Sequence, residues 1–472
     1  MSAKKYTKED IPSFLQSAGA VLTDMEQRID TVIHEPVVVS DSFIRFEFQS
    51  SGILNPKSRI TFAMDTATDC FFPLNVGVGS LIQRATLRIG GKTICEVEDW
   101  AHYFAYKSMF VDQEFNKQRE QFNSGRCMSN SVQYEDDSLV SDTIGMDLGV
   151  EPVNNADPLE TDTSLLPFQK LNNGGVFSLT LDQLVPCLAG VQLPLFMLSE
   201  SVQLELTLAS SVGKRVCLPA SASGSVASAF PIDQSEVRMI ADYTFLDGDA
   251  MNAYAEVNKN FEYTFLEPRL TKTTLADASA WNNQIRNVGG AGRRVPKMFV
   301  MITSDKMGLN GSSAPASGLN PLTLLNEYRG IAPYTGDEDT GEYGQVIANV
   351  KKNDAFLYPI DRSNSALHYH GVQQTEGSVP HITRTQYARQ GNSLSVSKFE
   401  SRIMSEQNEM SGQFFALAFR FPDGQRVDSR GLEMHLKYSG KNTLEAPFVQ
   451  RTYILMEKKV FIKDGIVDAV YE

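Results

Sequence analysis

The stretch "LRIGGKTICEVEDW", Leu87 to Trp100, decides how the rest of the chain is read. Its Gly91-Lys92-Thr93 could close a phosphate-binding loop of the form G-x-x-x-x-G-K-[ST]. That motif needs a glycine five residues before Gly91, and the position holds Thr86. The intervening Leu87, Arg88 and Ile89 are strand-formers, not a glycine-rich wrap for phosphate. Ala85, Leu87 and Ile89 alternate with Thr86 and Arg88, Gly90-Gly91 accept positive φ, and Thr93 to Val97 is again extended. The pattern predicts a β-hairpin.

The neighbouring sequence keeps this grammar. Upstream, "SFIRFEFQ" (42–49) alternates through Ile44, Phe46 and Phe48, and "SRITFAM" (58–64) follows the turn-forming "SGILNPK". Immediately downstream, Val97, Trp100, Phe104 and Val111 fall on one helical face, with Asp99 placed to cap it. Residues 8–31 read as an N-terminal helix or arm, with Pro12 at a first helical position and Phe14, Leu15, Ala18, Val21, Leu22 and Met25 at helical spacing. Residues 131–170 are a long polar connection, with nine acids and no Lys or Arg from Glu135 to Asp162; an outer-surface position is expected.

The second half repeats the first. "GQVIANVKKNDAFLYPID" (344–361) reads as strand, polar turn and strand, like the hairpin at Gly90-Gly91. "GGVFSLTLDQLVP" (174–186) is echoed by "GQFFALAFRFPDG" (412–424), and "VQLELTLAS" by "GLEMHLKYSG". "EVRMIADYTFLDGDA" (236–250) is echoed by "VQRTYILMEKKVFIKDGIVD" (449–468). The same order near the end of each half predicts a divergent internal duplication. Two tandem β-sandwich or jelly-roll domains follow from the many short strands, few helices and long loops.

Composition agrees. The 472 residues exceed what one core usually serves, and 42% hydrophobic with 21% charged residues describes a folded protein. Twenty-seven Phe and sixteen Tyr against two Trp suit β-rich packing. The net charge of -14 argues against a general nucleic-acid binder. Residues 1–250 carry 18 Lys+Arg against 33 Asp+Glu and residues 251–472 carry 25 against 24, which places a boundary near 235–255. Cys70, Cys95, Cys127, Cys187 and Cys217 are odd in number, widely spaced and free of C-x-x-C, so reduced and mostly buried thiols are expected. No apolar run reaches the ~18 residues of a membrane span. The N-terminal residues lack the long apolar segment of a secretion signal, so the product is expected to stay inside the cell that makes it.

The search for chemistry finds no site. His368 and His370 in "HYH" could share one face of a strand, with His381 near in sequence, but an exposed strand or loop explains the spacing better than a metal site. The acid clusters Glu135–Asp137, Asp247–Asp249 and Gly336–Glu342 lack the spacing of a calcium loop. "NVGGAGRRVPK" (287–297), with Arg293, Arg294 and Lys297, precedes a strand, whereas a phosphate-binding glycine cluster follows one; it reads as a turn. There is no G-x-S-x-G and no recognisable cysteine nucleophile. No catalytic, cofactor-binding or metal residue is assigned, and the chain is not expected to be an enzyme.

Taken together, "SLIQRATLRIGGKTICEVEDWAHYFAYKSMF" (80–110) resembles the first-domain segment of double jelly-roll major capsid proteins, where a strand, "IGG", a second strand and an aromatic helix follow in order. "LPLFMLSESVQLELTL" (193–208) is similar to the approach to a late strand of that domain. "GRRVPKMFVMITSD" (292–305), "VKKNDAFLYPIDR" (350–362) and "QRTYILMEKKVFIKDGIVDAVYE" (450–472) look like parts of the second jelly roll. The likeness is to capsid proteins of virophages and polinton-like viruses and runs from about residue 36 to 472. It implies an all-β fold of two tandem eight-stranded jelly rolls with a few short helices in the loops: an arm over 1–35, a first roll over 36–240 and a second over 241–472. It also implies a homotrimer forming a pseudo-hexameric capsomer, with neighbouring capsomers and penton or minor capsid proteins as partners, in an icosahedral virion around double-stranded DNA. Any contact with the genome would fall to local basic residues such as Lys4, Lys5 and Lys8. A tandem β-sandwich that binds or acts on glycans is the competing expectation, and a cellular scaffold of two β-domains is a third.

Overall fold

The computed structural model describes residues 27–63, 70–71, 76–108, 124, 133–135, 138–140, 176–209, 218–219, 232–275, 280–286, 288–290, 292–304, 336–337, 342–343, 345–363, 365–377, 416–421, 427–439 and 448–471. Two sets of eight strands dominate. The first comprises β1 (Gln27–His34), β2 (Phe43–Glu47), β3 (Arg59–Ala63), β4 (Ile82–Ile89), β5 (Lys92–Glu98), β6 (Val176–Thr180), β7 (Val202–Leu208) and β8 (Arg238–Leu246). The second comprises β9 (Asn260–Leu275), β10 (Ala280–Arg286), β11 (Lys297–Ser304), β12 (Gln345–Lys352), β13 (Ala355–Phe356), β14 (Leu417–Arg420), β15 (Leu432–Ser439) and β16 (Phe448–Lys463). A final strand, β17 (Ile466–Tyr471), folds back on β16.

Each set makes two antiparallel sheets with the same strand order. In the first roll β1-β8-β3-β6 faces β2-β7-β4-β5. In the second, β9-β16-β11-β14 faces β10-β15-β12-β13. Numbered within its own roll, each sheet pair runs 1-8-3-6 and 2-7-4-5, the jelly-roll order. The three sequence echoes are the sixth, seventh and eighth strands of each roll. Alternation carries the packing: β7 buries Val202, Leu204, Leu206 and Leu208 and turns Gln203, Glu205 and Thr207 outward. The buried apolar residues of both rolls form one connected core.

The decisive hairpin is β4–β5, with Gly90 at φ 56° and Gly91 at φ 81°, as a type I′ turn demands. Asn353 (φ 49°) and Asp354 (φ 67°) make the equivalent turn between β12 and β13. Among the described residues, three helices longer than a single turn punctuate the strands: α1 (Trp100–Ser108), α2 (Gly248–Val257) and α3 (Ser365–Glu376). Both α1 and α3 lie in the connection between the fifth and sixth strands of their roll.

Two expectations are corrected here. The 1–35 segment is not all arm, because Gln27–His34 pairs along its whole length with β8, whose strand runs on to Leu246, past the expected limit at 240. The "HYH" residues sit on α3, not on a strand or loop: His368 is fully buried and only His370 is exposed. Residues 1–26, with Lys4, Lys5 and Lys8, lie outside the described residues, as do His381 and most of 131–170. The 287–297 glycines do form a turn before β11, with Gly289, Gly290 and Gly292 at positive φ.

Candidate functional site

Among the described residues, several buried ion pairs lie at the seam between the rolls, and "LRIGGKTICEVEDW" supplies much of the first roll's side of it. At the hairpin tip, the Lys92 Nζ donates to the carbonyl of Val467 on β17 at 3.1 Å. Glu200 accepts from the Val467 amide at 3.3 Å, and Ser199 donates to the Gly465 carbonyl through its amide at 2.9 Å. Glu200 reaches this position across Gly90, where a Cβ would overlap its carboxyl group. The first roll thereby occupies the outer edge of β17 at Val467, which hinders pairing of that edge elsewhere.

Four residues after Lys92, the Glu96 amide donates to the Glu267 carboxylate of β9 at 3.0 Å. Glu267 also holds Lys458 at 3.2 Å and accepts from the Tyr471 hydroxyl. Both members of the Glu267–Lys458 pair are buried. They border a cavity of about 270 Å³ whose other polar walls include Thr93, Glu98 and Arg269. Beside them the buried thiols of Cys95 and Cys187 are free, and burial pushes the Cys187 thiol up.

At the end of the stretch, Asp99 departs from its expected role. Its φ of 50° is incompatible with the extended backbone of an N-cap. Its carboxylate instead accepts from Arg451 Nε at 2.7 Å and pairs with Lys272 at 2.8 Å, both on the second roll, and meets His102 Nδ1 at 3.1 Å. Its carbonyl accepts from the Tyr453 hydroxyl at 3.1 Å. Burial by itself raises the Asp99 carboxyl, but His102, Arg451 and Lys272 together hold it well below the usual carboxylate range. Burial, reinforced by Arg451, lowers His102 to about 4.

Helix α1 completes the seam. Trp100 turns into the first roll, stacked on Phe104 at 4.6 Å, and donates its Nε1–H to the Leu184 carbonyl at 2.8 Å. The opposite face goes to the second roll: Tyr106 stacks on Phe299 at 3.6 Å, and Tyr103 packs against Tyr453. The two equivalent helices then meet through Glu376 of α3, which accepts from the Tyr106 hydroxyl at 2.9 Å and pairs with Lys107 at 3.1 Å and Lys297 at 3.0 Å. Burial opposes ionisation of Glu376, yet the two lysines hold its carboxyl below the ordinary value.

Three of the other residues weighed from the sequence make packing or capping contacts. His368 Nε2 engages the Val346 carbonyl at 2.9 Å, and its burial lowers it to about 4. Arg293 lies over the Tyr471 ring at 4.3 Å, and Asp247 caps α2 by accepting from the Ala250 amide. Among the described residues no group of three or more His, Cys, Asp or Glu side chains is arranged to hold a metal ion. Nor is any helix among them long and apolar enough to cross a membrane.

Two eight-stranded rolls of identical strand order, fused along a buried polar seam, make this a double jelly-roll protein. No protein-family model matches the sequence, and no curated protein matches it. Solved structures do. The chain is similar to a chain of the PBCV-1 virus capsid, with a TM-score of 0.55 and 14% identity over 95% of this chain and 97% of that one. It is similar to a chain of the Sputnik virophage (TM-score 0.53, 12% identity, covering 100% and 93%). It is also similar to the mavirus major capsid protein (TM-score 0.51, 8% identity, covering 100% and 97%). At these identities the likeness is one of fold: the chain has the double jelly-roll fold of viral major capsid proteins.

Proposed function

We propose that the chain is a major capsid protein, a structural subunit of a virion with no catalytic role. The observation that carries this is the match over nearly the whole length of the chain, both rolls included, to chains of viral capsids. A seam of buried ion pairs and stacked rings fixes one roll against the other, which suits a building block better than a hinge. In this reading three chains associate into a pseudo-hexameric capsomer, since three copies of two similar rolls give six near-equivalent units. Capsomers then tile an icosahedral shell around double-stranded DNA, with penton and minor capsid proteins as further partners.

Light scattering of the purified protein, with negative-stain images of the same fraction, tests it. The expected result is a particle of three times the 52.3 kDa chain mass with hexagonal outlines, or closed shells. A monomer at every concentration, in the presence of co-expressed particle components, would refute it.

A further inference from the structure

The seam inside one chain indicates how two chains meet. Within the chain, the first roll offers its fifth strand β5, the helix α1 that follows it and the Pro186–Leu188 turn. The second roll receives them on its first strand β9 and eighth strand β16. Along β9 the side chains Phe261, Tyr263, Phe265 and Glu267, alternate residues on one face, are all buried. The topology repeats, so the same two faces exist a second time and are left without a partner among the described residues of a single chain. One is the fifth-strand side of the second roll, at β13. The other is the first strand of the first roll, β1.

Exposed apolar side chains stand on both of these unpartnered faces. On β1, Val32 and His34 turn inward, Val32 against the core and His34 onto the Tyr243 hydroxyl at 2.8 Å. The alternate residues Ile29 and Ile33 turn outward and are 63% and 65% exposed. At the other face Phe356 of β13 is 48% exposed and Ile360, just beyond it, 69%. Large aliphatic residues on an edge strand invite pairing unless a partner covers them.

We infer that Phe356 and Ile360 of one copy dock on Ile29 and Ile33 of a second copy, repeating between chains the contact that joins the rolls within a chain. The contact is heterologous, so each subunit uses one face of each kind, and such contacts close into rings when the rotation permits. The inference rests on the capsid reading and names the surfaces that would build its capsomer.

Two charge-insertion variants test it, Ile29→Asp/Ile33→Asp and Phe356→Asp/Ile360→Asp, with Val176→Asp, at an exposed site on β6, as control. Each double variant is expected to reduce the scattering mass threefold, from trimer to monomer, with an unchanged far-UV circular dichroism spectrum, while the control stays trimeric. Mixing the two double variants is expected to restore dimers of twice the chain mass but no trimer, because one intact face of each kind remains. Double variants that trimerise like wild type would overturn the inference and leave the capsid reading standing. A wild-type chain that never associates would remove both. A drop in melting temperature without a change of mass would show that the chain's own residues cover β1, and would also overturn it.

Discussion

Replacing Asp99 by Asn tests whether the seam is an energetic unit. Asparagine keeps the shape and tolerates the positive φ that Asp99 adopts, so the loss isolates the charge. The carboxylate is 8% exposed and faces Arg451, itself 10% exposed, at 2.7 Å, so the variant takes the carboxylate charge away from a buried guanidinium. Removing one member of a buried pair typically costs about 3–5 kcal/mol. The lower end applies, because Lys272 is 45% exposed and can turn to water. Unfolding entropy of about 2.1 cal/mol/K per residue over 472 residues gives roughly 1 kcal/mol/K. A loss of about 3 kcal/mol then lowers Tm by about 3 °C if both rolls melt together, and by about twice that if one melts alone. Differential scanning calorimetry reads both the shift and any splitting of the transition. Adding Arg451→Met removes the buried charge that faced the carboxylate, so the double variant should be less destabilised than the sum of the singles by at least ~1 kcal/mol. A variant melting with wild type, or singles that simply add, would refute the argument that Asp99 and Arg451 hold the rolls together.

Gly90 and Gly91 separate conformation from clearance. Both have positive φ, so alanine at either costs ~1–2 kcal/mol, but only at Gly90 does the new methyl displace Glu200 from the Val467 amide. Gly90→Ala should therefore melt lower than Gly91→Ala by a further ~1 kcal/mol, and equal shifts would remove Gly90 from the clasp. The buried histidines set the pH dependence. His102 and His368 are held near 4, below the ordinary 6.5, so as pH falls the unfolded chain takes up protons first. Their contribution is complete above about 6.5 and is lost as pH falls towards 4, on the order of 1.4 kcal/mol per unit for each. Melting temperature measured across that window should fall, and His102→Gln with His368→Gln should flatten the slope. A wild-type profile already flat between pH 6.5 and 4 would contradict the burial of both rings.

What was legible in the sequence, and what was not, follows from the range of the interactions involved. The β4–β5 hairpin is encoded by residues within a dozen positions of one another, and so are the strands behind the three echoes. Alternation and turn chemistry therefore reveal them. Strand β1 escapes because "QRIDTVIH" turns Ile29 and Ile33 outward, and its apolar residues extend the helical spacing of Val21, Leu22 and Met25. Helix α3 escapes for the opposite reason. Its buried face, His368, Gly371, Val372 and Thr375, has helical spacing but a single sizeable aliphatic residue, so no hydrophobic period marks it. The seam is illegible in principle: Asp99, Lys272 and Arg451 come together only because the two rolls dock, and a lone Asp before a helix looks like a cap. Yet the duplication that was legible constrains the illegible part. If the rolls descend from one unit, the faces that meet within the chain must each have a counterpart, and the exposed isoleucines of β1 are where that counterpart falls.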